Sequence, residues 1–224
     1  MTSDTELLEE LPFRRAGYSM IRALDRGLLK TLFRLSVIGS AKIPMRGPVI
    51  LIANHASFID PLFVAAATDR IVQFLMYSSF YDSWARNLFR FLGALPIDEQ
   101  VNRQSLRNSI ELLKRGACMG VFPEGAVSFD GNLLPARPGA IFLAQRMSAR
   151  IVPIAIAGTS IAWPRTTMLP RPGSIVTVNV LDPIEVHDLN RSEQKKMLNR
   201  IMDDIAAVLG VRRHLTRPGE FDRL

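Results

Sequence analysis

Val49-Ile50-Leu51-Ile52-Ala53-Asn54-His55-Ala56-Ser57-Phe58-Ile59-Asp60-Pro61 is the stretch from which the fold is read. Residues 49–53 form an uninterrupted apolar run of strand-like composition. Asp60-Pro61 resembles a helix N-cap followed by proline at the first helical position. His55 therefore falls at a strand-to-helix junction. Residues five apart on a continuous helix lie roughly 140° apart, so His55 and Asp60 meet only if the chain turns between them. An imidazole held there can take a proton from an alcohol while the carboxylate fixes its tautomer and stabilises the imidazolium. The plainer alternative is that Asp60 only caps the helix and His55 is structural.

Working outward, Leu35 to Ile43 reads as a strand and Pro44-Met45-Arg46-Gly47-Pro48 as a turn. Beyond the junction the pattern predicts a short helix from Pro61, a strand at Val72 to Tyr77 and helices at Ser83 to Leu92 and Ser105 to Lys114, the last ended by Gly116. A strand at Cys118 to Phe122 leads into Pro123-Glu124-Gly125-Ala126-Val127-Ser128. It presents an acidic side chain and backbone N–H groups at a sheet edge, where open α/β folds tend to place ligands. A helix at Pro138 to Met147, strands at Ile151 to Ala157 and Ser174 to Leu181, and a helix from Ser192 to Leu209 stopped by Gly210 complete the pattern. Helices alternating with apolar strands indicate an α/β fold: a single domain with a mixed, mostly parallel sheet flanked by helices.

The motifs now stand in order: Asn54-His55 through Asp60, Gly93-Ala94-Leu95-Pro96-Ile97-Asp98, Phe122-Pro123-Glu124-Gly125, and Val152-Pro153-Ile154-Ala155-Ile156. Together, across roughly residues 36–184, they resemble the four blocks of the glycerolipid acyltransferase family typified by lysophosphatidic acid acyltransferase (1-acylglycerol-3-phosphate acyltransferase). The resemblance implies that His55 is the general base and Asp60 its orienting partner. It also implies that Asn54, Pro123, Glu124 and Gly125 belong to the substrate-binding set, with Glu124 on the acceptor's glycerol or head group and Gly125 allowing close backbone approach. Two departures bear on the acceptor. The second block usually ends Asp-Arg where this chain has Asp98-Glu99, and the third reads Glu-Gly-Thr-Arg-Ser where this chain has Glu124-Gly125-Ala126-Val127-Ser128. Both missing arginines are associated with the acceptor's phosphate, which a guanidinium suits through its bidentate fork. Arg103 and Arg137 are the nearby candidates to replace them.

The chain has 224 residues, 28 Lys and Arg against 21 Asp and Glu, and a formal charge of +7, which favours anionic partners: anionic lipid surfaces, coenzyme A phosphates or an acidic acyl carrier protein. No pattern for nucleic acid accompanies that charge. The lone Cys118 excludes an internal disulfide and a cysteine-rich metal site, and no metal or cofactor is expected. No run of about 18 apolar residues occurs. Arg22, Arg26, Lys30 and Arg34 recur every four residues beside a stripe of Ile21, Leu24, Leu28, Leu32 and Leu35. Residues 1–35 are therefore expected to carry an amphipathic helix lying on a membrane interface, with 36–224 as the acyltransferase domain and the whole peripheral to a membrane on its cytoplasmic face. Phe74, Met76, Phe80, Trp84, Phe89 and Phe91 concentrate apolar bulk for the core or for an acyl-chain groove.

The reaction implied is transfer of a fatty acyl group from acyl-CoA or acyl-acyl carrier protein to a hydroxyl of a lysophospholipid, with no covalent enzyme intermediate. Donors near Gly125 would stabilise the oxyanion. No Gly-x-Ser-x-Gly elbow is present. The rival readings are a lipid or thioester hydrolase on the same site, with water as acceptor, and a noncatalytic lipid-binding protein.

Overall fold

The run Val49-Ala53 is apolar at every position because both of its faces are buried. In the computed structural model, which describes residues 26–77, 95–97, 103–164, 167, 169–214 and 216, it is strand β2 (Val49–Ala53) in the middle of a sheet. The other strands are β1 (Arg34–Ile38), β3 (Val72–Tyr77), β4 (Leu95–Ile97), β5 (Cys118–Val121), β6 (Arg150–Ala157) and β7 (Ile175–Val180). Among the described residues these form one seven-stranded sheet in the order β1-β7-β6-β2-β5-β3-β4. Every neighbouring pair is parallel except β6 and β7, so the sheet is mixed and mostly parallel as the alternation of elements implies.

Successive side chains of a strand point to opposite faces, and the two cores follow that alternation. Leu51 and Ala53 pack with Val152, Ile154 and Ile156 beneath helix α1 (Asp60–Ala66), which contributes Phe63 and Val64. Ile50 and Ile52 pack on the other face with Met119 and Ile151 beneath α3 (Gly139–Arg146) and α5 (Arg191–Leu209). Helix α2 (Arg103–Lys114) covers the same side, and a single turn, α4 (Thr159–Ala162), follows β6. Helix α5 is bounded by chemistry legible in the chain. Asn190 accepts from the N–H groups of Ser192 and Glu193 while Glu193 accepts from the N–H of Asn190, and Gly210 ends the helix at φ 66°.

The observed strand β4 falls inside the second block, where Pro96 argues against a central strand. Proline is tolerated there because β4 is the sheet's edge. The expected helix at Ser83 to Leu92 lies outside the described residues, as do the side chains of Met76, Phe80, Trp84, Phe89 and Phe91.

Residues 26–32 are helical, but the expected basic stripe does not run on through Arg34, which opens β1 opposite Ile175. Arg26 has partners within the chain. Its guanidinium donates to the Ala66 and Thr68 carbonyls and pairs with Asp69 at 2.8 Å, which clamps it to the carboxyl end of α1. Leu29 and Phe33 are buried in the core on that face. Residues 26–33 thus anchor on the domain through Arg26, Leu29 and Phe33, while Leu28 of the apolar stripe is exposed.

Gly120 of β5 lies opposite Phe74 of β3, and a Cβ at that glycine would stand 2.2 Å from the Phe74 ring. Gly120→Ala is expected to lower unfolding free energy by about 1–3 kcal/mol, the usual cost of overpacking a core, in urea denaturation. A change within about 0.5 kcal/mol would show that Phe74 moves freely.

Candidate active site

Three residues past the last paired positions of β2 and β5, the register that sets Ile52 against Val121 brings His55 level with Glu124. Asn54 makes the turn possible. Its side-chain amide donates to the Ile156 carbonyl (3.0 Å) and accepts from the Ile156 N–H (2.8 Å), standing in for a strand residue and tying the end of β2 to β6. Asn54 is buried with both amide atoms so engaged, which makes it part of the frame that holds the junction.

Asp60 is the first residue of α1, and Ile59 takes the N-cap position without a side-chain capping bond. The capping expectation is therefore corrected. The Asp60 carboxylate turns back instead, its Oδ2 accepting from the N–H groups of Ala56 (2.7 Å) and Ser57 (2.7 Å) and lying 2.9 Å from His55 Nδ1. An ionised carboxylate can only accept, so this contact puts the imidazole proton on Nδ1 and leaves Nε2 as the acceptor. The Asp60 side chain is 0% exposed and the His55 side chain 17%, so the pair shows solvent only the imidazole. Phe122 stacks against that ring, centroids 4.2 Å apart, and Phe74 stacks behind Phe122 at 6.0 Å. Ser57 donates its hydroxyl to the Trp163 carbonyl at 3.0 Å.

Glu124 sits beneath this loop. Oε1 accepts from the His55 N–H (2.8 Å) and Oε2 from the Leu134 N–H (2.6 Å), and the side chain is fully buried. Burial pushes its pKa up to about 7, against the pull of the two backbone N–H groups, with the charge of Asp60 adding to the rise. In this structure the Glu124 carboxylate is thus held by backbone N–H groups on both sides of the site. Gly125 takes φ 64° to close a tight turn and donates its N–H to the Phe122 carbonyl at 3.0 Å, so that N–H is not aimed at an oxyanion. Pro123 is buried, and its carbonyl accepts from the Arg137 N–H at 2.9 Å.

The Arg137 side chain is exposed, on the rim of a cleft beside Pro123 and Gly125, while the side chain of Arg103 lies outside the described residues. Val127, at the position of one missing arginine, is 5% exposed and belongs to the interior.

One part of the site has no local signal. The Ser128 N–H donates to the His55 carbonyl at 2.8 Å, so both backbone groups of His55 are held by the third block. That loop is clasped in turn by the chain's far end. Leu133 exchanges backbone bonds with Arg212 and His214, and His214 Nε2 lies 2.9 Å from Asp130 Oδ2. The Asn132 side-chain amide and N–H, His214 and Ser128 hold the Asp130 carboxyl well below the usual carboxylate range, with slight burial opposing. Asp130-Gly131 signals a turn, but nothing nearby signals its partner. Arg213 folds back onto Asn199 and Asp203 of α5.

The family model described as Acyltransferase matches residues 34–157, from the start of β1 to the end of β6. The chain belongs to the acyltransferase family. Among curated relatives, the chloroplastic 1-acyl-sn-glycerol-3-phosphate acyltransferase LPAT1 of Arabidopsis thaliana is 26% identical over 159 residues, covering 68% of this chain and 44% of its own length. The 1-acyl-sn-glycerol-3-phosphate acyltransferase of Borreliella burgdorferi is 25% identical over 204 residues, 87% of this chain and 80% of its own. The chain thus spans under half of the first plant relatives and most of the bacterial one. The crystal structure of the 1-acyl-sn-glycerophosphate (LPA) acyltransferase PlsC from Thermotoga maritima matches with TM-score 0.70 and 23% identity over 88% of this chain and 81% of that one, a likeness of fold.

A carboxyl group whose folded-state pKa is raised favours the fold most below its ordinary value and loses that contribution as pH climbs to the raised value. The contribution of Glu124 is therefore complete below its ordinary value of 4.5 and is lost progressively as pH rises from about 5 to about 7. The stability of the wild type relative to Glu124→Gln is expected to fall by about 2 kcal/mol between those pH values in urea denaturation. A difference that stays flat would show that Glu124 titrates as an ordinary carboxyl.

Proposed function

We propose that this acyltransferase moves a fatty acyl group from a thioester donor to the free hydroxyl of a lysophosphatidate-type acceptor, a step of phospholipid synthesis. The carrying observation is the contact between Asp60 Oδ2 and His55 Nδ1, which leaves Nε2 as the acceptor on a partly exposed ring. The names borne by the Arabidopsis and Borreliella relatives support this acceptor class. Acyl-CoA and acyl-acyl carrier protein are equally consistent as donors.

In the proposed step Nε2 takes the hydroxyl proton as the acceptor oxygen attacks the thioester carbonyl. Collapse of the tetrahedral intermediate then breaks the carbon–sulfur bond, and the imidazolium returns the proton to the leaving thiolate. The products are ester and thiol, with the base regenerated. Asp60 holds the ring and favours the imidazolium, while Glu124 acts as a positioning residue through the His55 backbone. No nucleophilic side chain enters, and Ser57 is committed to the Trp163 carbonyl. Among the described residues no helix is long and apolar enough to cross a membrane. A lipid acceptor is then reached by peripheral attachment, expected at the cytoplasmic face.

The test is a mass-spectrometric assay with oleoyl-CoA and lysophosphatidate. Diacylated product is expected, and His55→Ala should lower its rate by about 10² to 10⁴, the usual contribution of a general base. Release of free fatty acid independent of any acceptor would point to the hydrolase instead. A variant within about tenfold of wild type would remove His55 from the mechanism.

A further inference from the structure

On the sheet face opposite α1, a cleft of about 680 Å³ opens between α2, α3 and the first turns of α5. Its floor is apolar, formed by Leu75, Leu106, Val121, Phe122 and Leu143 with Phe142 at the mouth. Among the described residues, the charged side chains lining it are Arg137, Arg191 and Lys195. Arg191 and Lys195 are one turn apart on α5 and so share a face. Arg137 is fixed on the opposite rim by its backbone bond to Pro123. Among the described residues none of these three cations has a carboxylate partner within ion-pair distance, whereas Arg26, Arg150 and Arg213 each do. The volume falls within the range of roughly 300–1,000 Å³ usual for small-ligand sites.

We infer that this cleft is a binding site for a single-chain anionic amphiphile, the alkyl chain lying on the apolar floor and the anionic head resting between Arg137 and the Arg191–Lys195 pair. Both halves of that chemistry are needed to account for the lining. An uncharged chain would leave three cations without a role, and a small anion would leave the floor bare. The position of the missing third-block arginine is the buried Val127, so a head-group anion on this chain must be met elsewhere, and α5 supplies the cations. The His55 ring stacks on Phe122, which lines the cleft while His55 does not, so the cleft adjoins the base without containing it. The inference rests on the anionic acceptor proposed above, but its binding test does not depend on His55 acting as the base.

The probes are dodecyl phosphate and its cationic counterpart dodecyltrimethylammonium, titrated calorimetrically below their micelle concentrations into the full chain with no acyl donor present. Arg191→Glu with Lys195→Glu is expected to weaken one class of dodecyl phosphate site by about tenfold or more, with dodecyltrimethylammonium binding no weaker. Leu106→Trp, which fills the floor, should remove that class for both probes. The neutral pair Arg191→Gln with Lys195→Gln should give an intermediate loss, with thermal melts confirming that each variant folds. Competition by laurate, lauroyl-lysophosphatidate and lauroyl-CoA then distinguishes a fatty acid, a lysolipid and an acyl donor as the source of the amphiphile. A change under about twofold on charge reversal, or saturable binding that survives Leu106→Trp, would overturn the site. So would displacement by an acidic protein and by none of the three lipids. Turnover in the lysophosphatidate assay is read separately, so loss of the cleft and failure of the His55 mechanism give different results.

Discussion

One oxygen atom, Asp60 Oδ2, gathers the Ala56 and Ser57 N–H groups and His55 Nδ1 within 2.9 Å. The two backbone donors are the open groups of a chain leaving a strand, and without an acceptor they would be left unpaired in a buried loop. A carboxylate satisfies them and closes the loop that brings His55 over α1. The same oxygen sets the imidazole tautomer. The folding of the junction and the basicity of Nε2 therefore depend on a single acceptor, so changes at Asp60 cannot separate stability from chemistry unless the hydrogen bonds to Ala56 and Ser57 are preserved.

Much of the scaffold was legible because its signals are local. Strand β3 occupies Val72–Tyr77 as its apolar run indicates, and Gly210 ends α5 where no residue with a Cβ adopts φ 66° comfortably. The His55–Asp60 pairing was legible from spacing, which excludes a continuous helix between them. Two kinds of information were not local. The role of the Asp60 side chain could be read as a cap or as a partner to His55, and only the position of three donors decides between them. The clasp of residues 212–214 on the loop at 128–133 joins segments about 80 positions apart, with no periodicity or turn chemistry to announce it.

The third block was legible as a motif but not in its physical task. A carboxylate before a glycine at a strand end suggests a ligand contact, and in this chain its partners are the His55 and Leu134 N–H groups. Side-chain direction after a strand depends on the turn that follows, and no local signal gives it. The Phe122–Gly125 turn carries Glu124 inward. Similarly, the stripe of Arg22, Arg26, Lys30 and Arg34 has the spacing of one helix face, yet Arg34 belongs to a strand. Periodicity cannot report where the helix stops when no glycine or proline marks the place.

The direct pairing of β2 with β5 is what makes blocks distant in sequence into one unit. Because the strands are parallel and in register at Ile52 and Val121, both chains leave the sheet at the same level. Glu124 then takes the His55 N–H and Ser128 donates to the His55 carbonyl, so the residue carrying the imidazole is fixed through its own peptide groups. Such fixing limits the ring to rotation about its side-chain bonds, and Asp60 and Phe122 restrict that rotation in turn. A base held this way needs little reorganisation when it gains a proton, which is the condition under which a positioned donor or acceptor contributes most to a rate. The carboxylate of Asp60 offsets the charge that appears on the ring. Glu124, pushed toward neutrality by burial and by Asp60, keeps a second full negative charge from accumulating in the same dry pocket. The two acids beneath one histidine thus divide the work, Asp60 on the imidazole and Glu124 on the backbone.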